Sequence, residues 1–279
     1  NDKNNKDKKI FLSMIHQNNS INDEFILTAG PSISQKEIFY VNDAVSNGWN
    51  NKAQDYIKLL EKKFAEYLNC KYAISTSSCT GAMQIALMAL EIKEGDEVIV
   101  PNITWVATAK AVSYINATPV FADVNIKDWT INTESLKKLI TKKTKALLIP
   151  NLIGNIPDWK KIREIANKYK LKVIEDSADT LGAKIKNKPT GSFSDISITS
   201  FYGSHIINGA GNGGMIVTSD KKIADKCSLL RSWGRSSSLF VESEAIENRF
   251  NVHLDGIQYD AKFVFEELGY QLEPSEISA

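Results

Sequence analysis

Leu171-Lys172-Val173-Ile174-Glu175-Asp176 is a short apolar run that ends on two carboxylates, and it follows a helical stretch over Asp158–Tyr169. The β-branched pair predicts a strand over Lys172–Ile174, which places Asp176 at the strand's carboxyl end. The same alternation extends outward in both directions. Upstream, strands are predicted at Tyr72–Ser75, Glu97–Val100, Thr118–Ala122 and Ala146–Pro150, separated by helices at Thr80–Leu90, Val106–Tyr114 and Thr133–Ile140. Downstream, Ile196–Ser200 and Gly214–Thr218 read as strands and Lys221–Ser232 as a helix. Strands alternating with helices at this spacing form βαβ units, so the fold class is α/β with a mainly parallel sheet between helices. Ligands of such sheets sit at the carboxyl ends of strands, where Asp176 falls.

Two more helices precede this region. Ser34-Gln35-Lys36-Glu37 has capping-box spacing and opens a helix to about Val45, stopped by Asn47-Gly48. The second runs from about Ala53 to Leu68 and puts Ile57, Leu60, Phe64 and Leu68 on one face. Residues 1–24 are rich in Asn, Lys and Asp, lack periodicity, and read as a flexible arm.

Composition narrows the function classes. At 279 residues, 43% hydrophobic and 24% charged, the chain is long and apolar enough for a substantial core. A net charge of +1 gives no field to attract nucleic acid or an acidic membrane surface. No apolar run reaches the roughly 20 residues that span a bilayer, and Ile10–Ile15 is too short for a signal-peptide core. The three cysteines, Cys70, Cys79 and Cys227, are scattered, which reads as a reduced, cytoplasmic protein with neither disulfides nor a C-x-x-C metal site.

Several residues could carry chemistry. Ser75-Thr76-Ser77-Ser78-Cys79-Thr80-Gly81-Ala82 joins a strand to a helix, and the free N–H groups there suit a phosphate; an ordinary Ser/Thr cap reads the same way. Asp176 could keep a pyridine nitrogen protonated, or be a turn residue. Trp105 lies just beyond a strand and could stack on a flat ring, or fill the core. His205 is one of three histidines and closes Ser200-Phe201-Tyr202-Gly203-Ser204-His205. Beside it, Gly209-Ala210-Gly211-Asn212-Gly213-Gly214 leads into a strand rather than a helix, which argues against a dinucleotide fingerprint.

The order of these stretches resembles one family. Gly30-Pro31, Ser78-Cys79-Thr80-Gly81-Ala82, Thr104-Trp105-Val106-Ala107-Thr108-Ala109 and Ala117-Thr118-Pro119-Val120-Phe121-Ala122-Asp123-Val124 are similar to segments of the DegT/DnrJ/EryC1/StrS aminotransferases and their dehydratase relatives. So are Val173-Ile174-Glu175-Asp176-Ser177-Ala178-Asp179, Gly191-Ser192-Phe193-Ser194-Asp195, Ser200-Phe201-Tyr202 and Gly213-Gly214-Met215. The resemblance implies a fold-type I pyridoxal 5'-phosphate (PLP) enzyme. It makes Asp176 the partner of the pyridine nitrogen and Trp105 the ring-stacking aromatic. Ser78, Cys79, Thr80 and Ser200 become phosphate-binding positions, with Cys79 where relatives have glycine. His205 falls where the aminotransferases carry the lysine that forms a Schiff base with the cofactor, and no lysine occurs between Lys188 and Lys221.

Within that family the chain is similar to the histidine-type nucleotide-sugar 3-dehydratases. Asp179 stands where aminotransferases have Gln or His, and Leu152-Ile153-Gly154-Asn155 and Arg231-Ser232-Trp233-Gly234-Arg235 are also similar to that group. The CDP-sugar branch carries cysteines after Arg-x-Trp-Gly-Arg for an iron–sulfur cluster. Residues 236–248 contain none, so no thiolate-ligated cluster is expected there and the GDP-4-keto-6-deoxymannose type is nearer. The resemblance implies C3 deoxygenation of a nucleotide-linked 4-keto-6-deoxy sugar, as in O-antigen or other deoxysugar biosynthesis. Pyridoxamine 5'-phosphate (PMP) would act as carrier, glutamate as amino donor and His205 as base in place of lysine. It also implies a homodimer, with Gln271, an Asn in relatives, reaching the partner's cofactor. The expected layout is an arm at 1–24, a PLP-binding large domain at 25–235, and a linker at 236–279 leading to a small C-terminal domain of roughly another hundred residues. A sugar aminotransferase without a tethering lysine and a catalytically silent PLP-fold protein are the alternatives.

Overall fold

Seven strands form the central sheet of the computed structural model, which describes residues 30–205, 207–240, 249–250 and 252–279. The expected arm at 1–24 lies outside the described residues. The strands are β1 (Tyr72–Thr76), β2 (Glu97–Pro101), β3 (Thr118–Ala122), β4 (Thr144–Pro150), β5 (Lys172–Asp176), β6 (Ile196–Ser200) and β7 (Gly214–Thr218). Their order is β1-β7-β6-β5-β4-β2-β3. All contacts from β3 through β6 are parallel, and β7 runs antiparallel to both β6 and β1. This is the mainly parallel α/β sheet expected from the alternation. β5 extends two residues past its predicted end, because Ile149 pairs with Glu175 and Pro150 with Asp176. Two carboxylates continue the strand because each finds donors, as described below.

Helices cover both faces: α1 (Gln35–Asn47), α2 (Asp55–Leu68), α3 (Cys79–Ala89), α4 (Val106–Tyr114), α5 (Thr133–Leu139), α6 (Trp159–Tyr169) and α7 (Lys221–Arg231). Ser34 and Glu37 form the capping box that starts α1. α2 begins later than its apolar pattern suggests, since residues 50–52 take a 3-10 turn and Gln54 has φ 75°. Side-chain alternation along the strands divides the core. Val98, Val100, Leu148 and Ile174 pack with Ile85 and Leu87 of α3, Val112 of α4 and Leu230 of α7. Ile99, Leu147, Ile149 and Val173 pack on the other face with Leu136 of α5 and Trp159 and Ile162 of α6. Beside them, Phe64 and Leu68 of α2 meet Phe201, Met215 and Val217.

Residues 31–279 form one compact unit. After a small hairpin, Val252–Leu254 with Ile257–Tyr259, the chain returns across the sheet's flank. The Ser77 N–H donates to the Leu272 carbonyl at 2.7 Å, and the Tyr56 N–H donates to Glu276 Oε2 at 2.9 Å. At Gly234 a Cβ would stand 1.9 Å from the Glu267 carbonyl, so this crossing requires glycine. Among the described residues no helix is long and apolar enough to cross a membrane.

Candidate active site

The carboxyl ends of β4, β5 and β6 open into a cavity of about 750 Å³. Its floor is Asp176, 6% exposed. Oδ1 accepts the Ala178 N–H at 3.2 Å and Oδ2 accepts the Thr108 hydroxyl at 3.3 Å. Burial pushes its carboxyl up to about 6; the Ala178 and Thr108 donors oppose that shift, and the Asp179 and Glu175 charges add to it. Among the described residues no lysine or arginine pairs with Asp176. A buried carboxylate without a cation is costly, so the floor is prepared for a positively charged partner.

One wall is the start of α3. Ser78 caps it, its Oγ accepting the Gly81 N–H at 3.1 Å, and Cys79 and Thr80 follow into the cavity lining. A Cβ on Gly214 would lie 2.7 Å from the Cys79 nitrogen, so only glycine lets β7 pass this close and pin the loop. Burial holds the Cys79 thiol well above its ordinary range, and Asp176 adds to this, so the side chain is neutral where an anion would sit. Ser200, at the end of β6, completes that side. The α3 start and these hydroxyls thus lie on one side of the cavity, an arrangement of a kind suited to an anion. Trp105 precedes α4 and is 75% exposed, so it lines the cavity instead of filling the core.

His205 also lines the cavity. Its N–H donates to the Tyr202 carbonyl at 2.9 Å, and its Nδ1 stands 3.7 Å from Asp179 Oδ1. Asp179 is itself fixed, since Oδ2 accepts the Ile153 N–H at 3.0 Å. Ser78, Cys79, Thr80, Trp105, Asp176, Asp179, Ser200 and His205 therefore meet in one cavity, and among the described residues no lysine lines it. Gln271 does not join them: it is exposed on the flank, its backbone bridging to Ser232.

Sequence reasoning missed the support beneath the floor. Glu175 is fully buried on the opposite face of β5 from Asp176. It accepts from Asn151 Nδ2 at 2.8 Å, the Ser177 hydroxyl at 2.8 Å and the Gly191 N–H at 2.8 Å, while burial raises its carboxyl. Asn151 also donates to Thr180 at 3.0 Å and accepts the Trp159 indole N–H at 2.8 Å. The available signal was positional: Asn151 directly follows β4 at its carboxyl end, as Asp176 ends β5. Trp129 on the outer wall also went unread, since it sits in a turn with no local pattern, and Ile153 was read only within a segment similar to one group of relatives, with no place in the site.

Comparison with known proteins gives the family and the fold type. The DegT/DnrJ/EryC1/StrS aminotransferase family matches residues 31–262. The chain belongs to that family. It is 42% identical over 204 residues to a GDP-perosamine synthase of Escherichia coli O157:H7, covering 73% of this chain and 56% of the relative. Among solved structures, an aminotransferase from Psychrobacter cryohalolentis superposes with TM-score 0.79 at 33% identity, over 91% of this chain and 61% of the other. An E. coli GDP-4-keto-6-deoxy-D-mannose-3-dehydratase with bound hydrated PLP gives 0.78 at 28% identity, over 90% and 64%. The chain spans little more than half the length of the curated relative. Within the family, the fold is the PLP aminotransferase type, with its central sheet flanked by helices.

Proposed function

We propose that this chain is the large domain of a PLP/PMP-dependent nucleotide-sugar 3-dehydratase. Its substrate is a nucleotide-linked 4-keto-6-deoxyhexose, glutamate supplies the amino group, and His205 acts as the base. The observation that carries this reading is the cavity lining: His205, its Nδ1 3.7 Å from Asp179 Oδ1, shares the cavity with Asp176, and among the described residues no lysine lines it.

The residues present fit the cofactor. Asp176 lacks a cation, which a protonated pyridine ring would supply; the α3 start with Ser78, Thr80 and Ser200 suits the phosphate; and Trp105 offers an exposed face for the ring. When bound, the cofactor supplies an amino group that joins the sugar's C4 ketone and an electron sink through which the C3 hydroxyl leaves. The chain does the rest. Asp176 holds the proton on the ring nitrogen. Neutral Cys79 adds no negative charge beside the phosphate. Asp179 stands 3.7 Å from the Nδ1 side of His205, close enough to stabilise the imidazolium once a proton is taken, and Nε2 is the atom that takes and returns protons. An imidazole forms no stable covalent bond with the aldehyde, so His205 does not compete for the cofactor. A cytoplasmic homodimer, with Gln271 serving the partner's site, completes the reading.

The test is product analysis. Given PLP, glutamate and GDP-4-keto-6-deoxymannose, the protein is expected to yield a 3-deoxy-4-keto sugar. A second reading, a sugar 4-aminotransferase, is favoured by the 42% identity to the GDP-perosamine synthase. A product that keeps its C3 oxygen and gains nitrogen at C4 would establish that reading and overturn ours.

A further inference from the structure

The outer wall of the cavity contains an aromatic that the proposed chemistry leaves unused. Trp129 lines the cavity 49% exposed, beside Leu152 and Ile153, the latter 68% exposed. Trp129 has φ 59° and Ile153 φ 53°, a region that bulky side chains rarely occupy. Such conformations persist only where the surroundings over-determine them, and here they do. The Trp129 N–H donates to the Asn125 carbonyl at 2.8 Å, and the Asn125 N–H donates to the Thr130 carbonyl at 2.8 Å. The Asp128 carboxylate accepts the Thr130 N–H at 3.0 Å and the Thr130 hydroxyl at 2.7 Å. Asn132 donates to Asn125 Oδ1 at 3.0 Å. Asn155 Nδ2 then reaches the Asp128 carbonyl at 2.9 Å, tying this turn to the one that carries Ile153.

A tryptophan whose purpose was core packing would be turned inward. This one is held half in solvent, over a cavity, by a turn built to keep it there. We propose that Trp129, flanked by Leu152 and Ile153, is the stacking platform for the planar base of a nucleotide ligand. The inference rests on the nucleotide-sugar reading of the site. The reacting sugar carbon must lie between His205 and the Asp176 floor, so the base, the largest flat apolar part of such a molecule, trails toward the outer wall. An indole face accepts any base face, so the platform supplies affinity without choosing which base is bound.

The experiment uses GDP as probe, titrated calorimetrically into the PLP-loaded protein, with inorganic pyrophosphate as a base-free control. Trp129→Ala is expected to weaken GDP binding by roughly 5- to 150-fold, the range that corresponds to losing one base stack. Trp129→Phe should retain most of the affinity. Pyrophosphate binding and the absorbance of bound PLP should not change in either variant, which separates the effect from misfolding. Equal GDP affinity in parent and Trp129→Ala would overturn the platform. So would a parent that binds none of GDP, UDP or dTDP at millimolar concentration, or a loss that appears only with a change in oligomeric mass, which would make the wall a contact between copies. A C4-amino product would sink the dehydratase reading and leave this result standing; unchanged GDP affinity beside C3 deoxygenation would do the reverse.

Discussion

Asp176 and Trp129 line the same cavity, yet they are held by different means. Asp176 ends a strand paired on both sides, is 6% exposed, and rests on the Glu175–Asn151–Ser177 network. Trp129 sits in a turn at φ 59°, is 49% exposed, and is held by side-chain and backbone bonds local to that turn. The floor inherits its geometry from the sheet, so every floor residue is placed by the fold itself. The outer wall is placed by turn chemistry that can vary while the sheet stays fixed. Reaction type would then reside in the floor and His205, and affinity for the nucleotide part of the substrate in the wall.

Four measurements could break or sharpen that division. The largest effect belongs to His205. His205→Asn should lower the rate of C3 deoxygenation by roughly 10²- to 10⁴-fold, as loss of a general base does; a parental rate would remove His205 from the chemistry.

Next comes the Asp176 carboxyl. Its folded value of about 6 lies above its ordinary value of 3.8, so the folded chain keeps a proton that the unfolded chain releases. Stability without cofactor should therefore fall as pH rises from about 4 to about 6, by up to about 3 kcal/mol, and level off above that. Urea titrations across this range should show the fall in the parent and a flatter profile in Asp176→Asn. An equal fall in both would place the proton elsewhere.

Third, Asn151→Ala would leave Glu175 and the Trp159 indole N–H short of partners in the dry interior. It should cost about 2–3 kcal/mol in urea unfolding. A cost within experimental error would mean that the network does not support the floor. The smallest effect is expected at the outer wall. Asn155→Ala removes one exposed hydrogen bond and should cost only about 0.5–1.5 kcal/mol while leaving PLP absorbance unchanged. A spectral change would show that floor and wall are not independent.

The same division governs what could be read from sequence. The floor was legible because strands announce themselves by β-branched runs and place their last residues at the ligand face. That is how Asp176 and the α3 start are legible from the pattern, whereas Ser200 entered through the resemblance. Capping chemistry gave the start of α1, and apolar periodicity gave the buried face of α2. Asn151 and Glu175 escaped because a polar side chain at or just past a strand end gives no local sign of partners on other elements, such as Gly191 for Glu175 or Trp159 for Asn151. Trp129 escaped for a different reason. No pattern of residue types marks a turn that forces a large side chain to positive φ; the bonds among Asn125, Asp128, Thr130 and Asn132 become visible only once the turn is closed. His205 was conspicuous from resemblance alone, but the Ile153 amide that fixes its partner Asp179 required the structure.

The most direct measurement is borohydride reduction of the PLP-loaded protein followed by intact mass. If His205 stands in place of a covalent anchor, PLP should bind, the chain mass should be unchanged by reduction, and the cofactor should leave on denaturation. A pyridoxyl adduct on the chain would mean that a lysine reaches the aldehyde, and it would contradict a cavity whose base is His205.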